Sequence, residues 1–389
     1  MIAAREPQQR APDARLLVIE ADGSLTHAAR VDLVDFLRRG DLVIANDAAT
    51  LPASLHGVHL PTGAAIEVRL AGRLAHRATE LRRCIAIVFG SGDFRTRTEE
   101  RPLPPALASG DRLALGPLTA VIERTLEHPR LIALRFNGSS TEVWAGLARH
   151  GRPIQYAHMR LPLALWDVWT PIAGPPVAFE PPSAGFALDW QLLAALRDRG
   201  IGFATLTHAA GISSTGDADL DRRLPFHEPY LIPVSTARAI HRTRVRGGRI
   251  VAIGTTVVRA LEHAASLGAG VRPGAGFADQ RIGAGTKLRV VDAVLSGTHE
   301  PGSSHYDLLR AFVDDATLRE ASAALDAHRY RTHEFGDSML VERSKRRIAC
   351  WCPVQTAQPP DADGCARWRL SRPCWSAGSC PRHWCSHLD

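Results

Sequence analysis

Apolar and polar positions follow two different rhythms along this chain. RLLVIEADGS, at 15–24, is an aliphatic and β-branched run that closes on Asp22-Gly23, the pattern of a strand leading into a turn. RVDLVDFLRRG spaces its apolar residues along one face and predicts an amphipathic helix stopped by Gly40, after which DLVIAND predicts a second strand. Strand, helix, strand is a βαβ-like opening and implies an α/β layer. From about residue 60 to 151 the rhythm shortens: AIEVRLAGRL, CIAIVFG, RLALG, LTAVIERTLE and LIALRF are short runs separated by Gly, Pro and Ser. Such a block predicts a small barrel or sandwich, ended by the helical VWAGLARHG and by GRPIQ.

The Pro-rich WTPIAGPPVAFEPPSAGF that follows predicts a shaped loop, and long loops in compact domains usually bind something. Beyond it, WQLLAALRDRG predicts a helix closed by Gly200, and IGFATLTHAAG a strand whose end carries His208. STGDADLDRRLPFHEPY is polar and turn-rich. STARAIHRTRVRGG (helix), RIVAIG (strand), TTVVRALEHAASLG (helix) and KLRVVDAVLSG (strand) then alternate. The expected fold is α/β, a mainly parallel sheet with helices on both faces, interrupted by a smaller β-barrel domain. Its expected parts are a discontinuous α/β domain at 1–59 and 152–344 and the insertion at 60–151. Chemistry is expected at the carboxyl ends of the parallel strands.

Length and composition agree with this picture. A chain of 389 residues is long enough for two cores, and 45% hydrophobic with 22% charged residues is ordinary for a globular protein. No run approaches the ~18 apolar residues of a membrane span, and MIAAREPQQRAPDAR lacks the apolar segment of a signal peptide. A cytoplasmic monomer without membrane partners is expected. The net charge of +7 is unevenly placed: seven basic and three acidic residues lie in 345–389, leaving +3 for the rest. That remainder neither requires nor excludes a polyanionic partner.

The same tail holds six of the seven cysteines and four of the eight tryptophans. A Cys/His metal module using His383 and His387 is one reading. Zinc sites, however, show paired knuckles, whereas one, twelve, eight, five and four residues separate successive cysteines here. Without apolar periodicity, and rich in Pro, Arg, Trp and Cys, the tail reads as disordered or as the product of a shifted reading frame. Cys84, within CIAIVF, reads as core.

Three segments carry candidate chemistry. In RIVAIGTTVVRALEHAA a strand ends at Gly254, and Thr255 or Thr256 starts a helix bearing Arg259 and Glu262. Such a helix start offers free N–H groups to a carboxylate, ribose hydroxyl or phosphate. The plainer alternative is that the threonines only cap the helix and Arg259 pairs with Glu262. LSGTHEPGSSHYDLLRAF puts His299 on a loop after a strand, where an imidazole can move a proton near neutral pH. HRYRTHEFGDSMLV supplies Tyr330, Arg331 and Asp337. No G-x-G-x-x-G fingerprint is present, so nothing supports a dinucleotide site.

From about Arg15 to Glu342 these segments, in this order, resemble the S-adenosylmethionine:tRNA ribosyltransferase-isomerase family of queuosine biosynthesis. The resemblance rests on RLLV…GDLVIAND…LPASLHG, on GGRIVAIGTTVVRALE, and on VVDA…THEPGSS…YRTHEFGDSMLV. It implies an α/β fold interrupted by a barrel, S-adenosylmethionine as co-substrate, no metal, and tRNA as partner. It also implies transfer and isomerisation of the ribosyl moiety onto the aminomethyl group of a 7-deazaguanine in tRNA, giving epoxyqueuosine with loss of adenine and methionine. Asn46 and Pro52 match the opening motif, and Gly254, Thr255, Thr256, Arg259 and Glu262 the middle one. His227 matches the family's His before an aromatic pair, of which Tyr230 remains. His299, Pro301 and Ser303 match the Phe-His-Leu-Pro-Lys-Ser loop, and Tyr330, Arg331, Gly336 and Asp337 the closing segment. The implied catalytic groups are His299, His227 and Asp337; the others are implied to bind substrate.

Departures from the family pattern weaken the tRNA half of that expectation. Asn-Asn-Thr-Arg becomes Asn46-Asp47-Ala48-Ala49, the Arg of Pro-Ala-Arg-Leu becomes Ser54, a His becomes Ala187, and the Lys of Pro-Lys-Ser becomes Gly302. A small non-tRNA acceptor with the same donor, or an inactive binding paralogue, are the alternatives. For the tail, truncation after Ser344 is expected to leave the melting temperature and activity unchanged; loss of bound zinc or of solubility on truncation would give the tail a structural role.

Overall fold

A computed structural model describes residues 1–74, 80–268 and 270–344 of the chain. Met1–Lys345 forms one compact unit. Arg346–Asp389 is a second unit, and the tail, with the metal alternative at His383 and His387, lies outside the described residues.

The opening differs from the expected strand, helix, strand. Strand β1 (Arg15–Ile19) turns at Gly23, where φ is +93°, and returns as β2 (Leu25–Ala29) in an antiparallel hairpin. Asp22 fixes the turn by accepting from the Ser24 N–H and hydroxyl at 2.9 and 2.7 Å. Arg30–Phe36 then winds as a 3-10 helix rather than an amphipathic α-helix. Just before strand β3 (Leu42–Asn46) the Asp41 carboxylate takes the Arg38 N–H at 2.8 Å, ending the turn.

The alternating block closes on itself as a six-stranded antiparallel barrel. Its strands are β4 (Ser54–His59), β5 (Ala64–Arg73), β6 (Arg83–Phe89), β7 (Arg112–Leu115), β8 (Leu118–Thr125) and β9 (Leu131–Phe136), in the order β8-β9-β6-β5-β4-β7. The first strand begins before the expected boundary at residue 60. Its period-2 pattern is masked by Gly57, which the closure needs: a Cβ there would run into the Ala114 carbonyl of β7. Leu55, Val68, Ile87, Leu113, Ile122 and Phe136 fill the interior together with Cys84, whose thiol burial pushes up to about 12. Helix α1 (Ser140–His150) leaves the barrel behind a capping box of Ser139 and Glu142.

The second sheet has nine strands. With β10 (Gly202–His208), β11 (Glu228–Ile232), β12 (Ile250–Ile253), β13 (Gly274–Ala278), β14 (Ala293–Gly297) and β15 (Ser338–Glu342), its order is β13-β11-β10-β3-β12-β14-β15-β1-β2. The central strands β10, β3, β12 and β14 run parallel, as do β15 and β1; the remaining pairs are antiparallel. Leu196 of α2 (Trp190–Asp198) packs with Leu33 and Val34 on one face. On the other face lie Ile240 of α3 (Val234–Val245), Leu261 of α4 (Thr255–Ser266) and Leu325 of α5 (Asp315–Ala327). No helix among the described residues is long and apolar enough to cross a membrane.

Two local features shape the cleft above the parallel strands. β14 starts at Ala293 rather than near Lys287, because Glu262 takes the N–H groups of Arg289, Val290 and Val291 at 2.7, 2.9 and 2.8 Å and holds that stretch off the ladder. In the Pro-rich connector, Pro176–Ala178 pairs with Ala49–Thr50 and Ser183–Ala187 forms a 3-10 turn.

The barrel's long 90–111 connection is tied down by Glu67. Its carboxylate accepts from the Ser54 hydroxyl and Arg69 Nε, each at 2.7 Å, and from Arg101, which also reaches the Gly90 and Gly92 carbonyls. Burial acts to raise the carboxyl, but Arg69 and Arg101 together outweigh it and hold it at about 2. A depressed folded value adds stability above the ordinary carboxylate range, and that stability, on the order of 3 kcal/mol, is lost as pH falls toward 2. Glu67→Gln, which strands two buried guanidinium groups, is expected to cost about 3–5 kcal/mol and to flatten the acid limb of the stability curve below about pH 4, as read by thermal melts.

Candidate functional site

The carboxyl ends of β3, β10, β12 and β14 converge under the Pro-rich connector. Asn46, the last residue of β3, ties three of the elements together. Its Nδ2 donates to the His208 carbonyl at 2.9 Å and to Thr256 Oγ1 at 3.3 Å, while its Oδ1 accepts from the N–H groups of His208 and Ala48. Gly254 follows β12 with φ +93° and forms the N-cap of α4 without a side-chain hydrogen bond. The strand can turn into the helix there because no Cβ is present, and the first residues of α4 line the cleft.

A cavity of about 390 Å³ opens at this point. Gly254, Thr255, Thr256 and Arg259 line it from α4, His299 and His305 from the segment after β14, and Glu180, Ser183 and Ala184 from the connector. Arg259 pairs with Glu228 and donates to the Ala278 carbonyl at 2.8 Å, leaving its buried Nε without a partner. Glu228 also accepts from His208 Nε2 at 2.8 Å and from the Gly211 N–H at 2.6 Å. Burial alone would raise the Glu228 carboxyl; Arg259 and His208 reverse that and hold it at about 2, so it stays ionised.

A wider cavity of about 860 Å³ adjoins the first and shares Glu180, Ser183, Ser213, His299 and His305 with it. Tyr156, His158, Ser303, His333 and Glu334 complete much of its wall. His299 lies against His305, with ring centroids 4.6 Å apart and planes 14° from parallel, and shares a hydrogen bond of 3.0 Å with Ser296 Oγ. Burial, then the neighbouring His305 and His333, push its imidazole well below the ordinary histidine value, so it is neutral at pH 7 and able to accept a proton. Glu180 behaves in the opposite way. It accepts from the Tyr156 hydroxyl and from the Ser213 N–H at 2.9 Å, and burial, aided by Glu334, pushes its carboxyl up to about 7 against those hydrogen bonds.

Of the residues singled out in the sequence, Gly254, Thr255, Thr256, Arg259 and His299 meet in the first cavity, and Ser303 reaches the second. Asn46 stands one step behind, positioning Thr256. The others line neither cavity. His227, expected to be catalytic, is exposed on the turn before β11, whose pattern sends the adjacent Glu228 inward instead. Tyr230 is buried in the sheet core and bonds its hydroxyl to His263 Nδ1 at 2.9 Å. Glu262 binds backbone rather than Arg259. Asp337, also expected to be catalytic, is buried and accepts from the Arg15 N–H at 2.9 Å, from the Arg331 N–H at 2.7 Å, and from both guanidinium groups. Tyr330 lies under the Arg15 guanidinium and hydrogen-bonds His27, while Arg331 also reaches Asp13. The closing motif thus locks the segment before β15 onto β1.

The positions that depart from the family pattern, Ala49, Ser54, Ala187 and Gly302, line neither cavity. Glu180, Glu228, His305 and Tyr156 do contribute and escaped the sequence reading. Glu228 could have been found one residue from His227; Glu180, between Phe179 and two prolines, gave no signal.

Fold and cleft together define an α/β protein with a barrel insertion and a cleft at the parallel strand ends that pairs a fixed anion with groups able to exchange protons. A family model described as queuosine biosynthesis protein matches residues 1–341. Three relatives carry the name S-adenosylmethionine:tRNA ribosyltransferase-isomerase. The one from Synechococcus elongatus is 32% identical over 87% of this chain and 91% of its own length. The Azoarcus relative is 34% identical over 89% and 96%, and the Sorangium cellulosum relative 35% over 88% and 95%. The chain belongs to the S-adenosylmethionine:tRNA ribosyltransferase-isomerase family. A crystal structure of S-adenosylmethionine tRNA ribosyltransferase from Thermotoga maritima aligns over 87% of this chain and 95% of its own, with 24% identity and a TM-score of 0.45.

Two substitutions separate scaffold from site. Glu262→Gln and Asp337→Asn are each expected to lower the unfolding free energy by about 2 kcal/mol, through lost charge-assisted hydrogen bonds, while leaving S-adenosylmethionine affinity within threefold. Denaturant titration and calorimetry measure the two quantities; a large affinity loss at unchanged stability would return either residue to the site.

Proposed function

We propose that the protein transfers and isomerises the ribosyl part of S-adenosylmethionine onto the aminomethyl group of a 7-deazaguanine base in tRNA, giving epoxyqueuosine and releasing adenine and methionine. The observation that carries this reading is the convergence of the family's Gly254-Thr255-Thr256 segment, Arg259 and His299 on one cavity, in a chain about a third identical to relatives of that name. The open N–H groups of α4 suit the donor's carboxylate or ribose hydroxyls. His299, neutral and half-buried, serves as the base that removes the proton beside the sulfonium, whose positive charge acidifies it. Arg5, Arg97 and Arg281 are exposed at the two cavities, where phosphates of a polynucleotide would meet them. The replaced residues Ala49, Ser54, Ala187 and Gly302 lie off the cavity walls, so their loss leaves the groups assigned to the donor in place.

Adenine release from S-adenosylmethionine, with and without deazaguanine-bearing tRNA, tests the reading. tRNA-dependent release is expected. Release with only a free deazapurine would move the acceptor to a small molecule, and none with either would defeat the transfer reaction. His299→Ala is expected to lower turnover by about 10²–10⁴ while S-adenosylmethionine still binds. With its folded value depressed, His299 stays neutral as pH falls through the ordinary histidine range, so wild-type turnover should not lose this base over that range.

A further inference from the structure

Among the described residues, Glu180 is the only carboxylate that lines both cavities. Its neighbours in the cleft have cationic or ionisable partners: Glu228 has Arg259, and Glu334 has His158 at 3.1 Å. Glu180 has two neutral donors, the Tyr156 hydroxyl on Oε1 and the Ser213 N–H on Oε2. A carboxylate removed from water without a cation is costly, and each oxygen keeps a further lone pair for a donor. A positive group that arrives with a ligand and carries N–H bonds would suit both oxygens. A sulfonium has none, whereas a primary ammonium has three; the donor carries one on its methionine part and the acceptor one on its aminomethyl group, and the place of Glu180 at the opening into the second cavity favours the acceptor's. Beside Glu180, the rings of Tyr156, His158 and His333 stack along the second cavity, with centroids 6.2 and 4.1 Å apart and planes within 13° and 11°. Ser183, Ser213, His299 and His305 are common to both cavities and surround the opening between them.

We propose that Glu180 is the receptor for the acceptor's primary ammonium: it holds the aminomethyl group at the opening between the two cavities, takes one proton from it, and so selects aminomethyl-bearing acceptors over uncharged ones. The proposal rests on the reaction assigned above. In the proton transfer one N–H bond breaks and one O–H bond forms. The amine is left neutral, with its lone pair free to form the new bond to carbon, and Glu180 becomes a carboxylic acid. The titratable groups facing it are Tyr156, Glu334, His299 and His305, and burial pushes its carboxyl up to about 7, where it exchanges protons near neutral pH.

The test uses the full chain with 7-aminomethyl-7-deazaguanine and its uncharged 7-cyano counterpart, each as free base and at the wobble position of an anticodon stem-loop. Wild type is expected to prefer the aminomethyl form by about tenfold or more, and Glu180→Gln to bind both alike, with S-adenosylmethionine affinity within twofold. A preference that survives Glu180→Gln overturns the proposal and leaves the proposed reaction standing. Weakened S-adenosylmethionine binding at an unchanged preference overturns it by assigning Glu180 to the donor. Failure of wild type to bind either compound in either form removes the acceptor itself, and Glu180's role with it. Should Glu180→Gln fail to fold, Glu180→Asp carries the test: withdrawal by one methylene is expected to cut the preference severalfold, and an unchanged preference overturns the proposal.

Discussion

The cleft depends on one buried ion pair, Arg259 with Glu228. Arg259 leaves the second turn of α4 and meets a carboxylate from the first residue of β11, so the pair fixes the helix against the sheet edge. Glu228 extends the hold to β10 through His208 and to the following loop through the Gly211 N–H, and Asn46 closes the circuit from β3 to His208 and Thr256. Burying two charges costs several kcal/mol, and only complete hydrogen bonding makes such a pair tolerable. The pair therefore acts less as a source of stability than as a constraint: the strand ends and the start of α4 keep one relative position, or charge is left bare.

A single cleft then gives its carboxylates opposite protonation behaviour. Glu228, with a guanidinium, an imidazole and a backbone N–H, stays ionised at any physiological pH. Glu180, on the facing connector with only neutral donors, is poised to exchange a proton near neutrality. Separation of two similar groups by their surroundings is the usual route by which one fold performs acid and base chemistry at a single pH. The neutral histidines extend the contrast, since His299 and His305 share a buried space in which a charge on one opposes a charge on the other.

Much of this was legible in the sequence wherever periodicity and punctuation agreed. The five apolar runs between residues 64 and 136 are all barrel strands, and α2 to α4 fall where the helical spacing placed them. The exceptions have physical causes. β2 was hidden because LTHAA is short and only partly buried; the start of β4 was hidden by a glycine that closure demands; and the late start of β14 follows from the Glu262 carboxylate taking backbone donors. The candidate residues that meet in the cavity, Gly254, Arg259 and His299, belong to motifs at strand ends. Some of the candidates that line neither cavity come from a motif that is conspicuous for folding reasons. Asp337, Arg331 and Tyr330 hold the last strand to the first, and a buried carboxylate with four donors looks the same in sequence whether it binds chain or substrate.

The departures from the family pattern acquire a different weight once their places are known. Ser54 gives its hydroxyl to Glu67 in the barrel, Ala49 pairs with Pro176, Ala187 packs on the face that carries α2, and Gly302 sits in a turn with φ +90°. Three changes remove a positive charge and one removes an imidazole, yet none lies on the walls of the two cavities. Loss of charge outside a cleft changes how a large polyanion is gripped, and does so through screened, long-range terms; it does not alter the short hydrogen bonds inside. The four replacements therefore leave the Arg259–Glu228 constraint and the proton-exchanging groups around it in place.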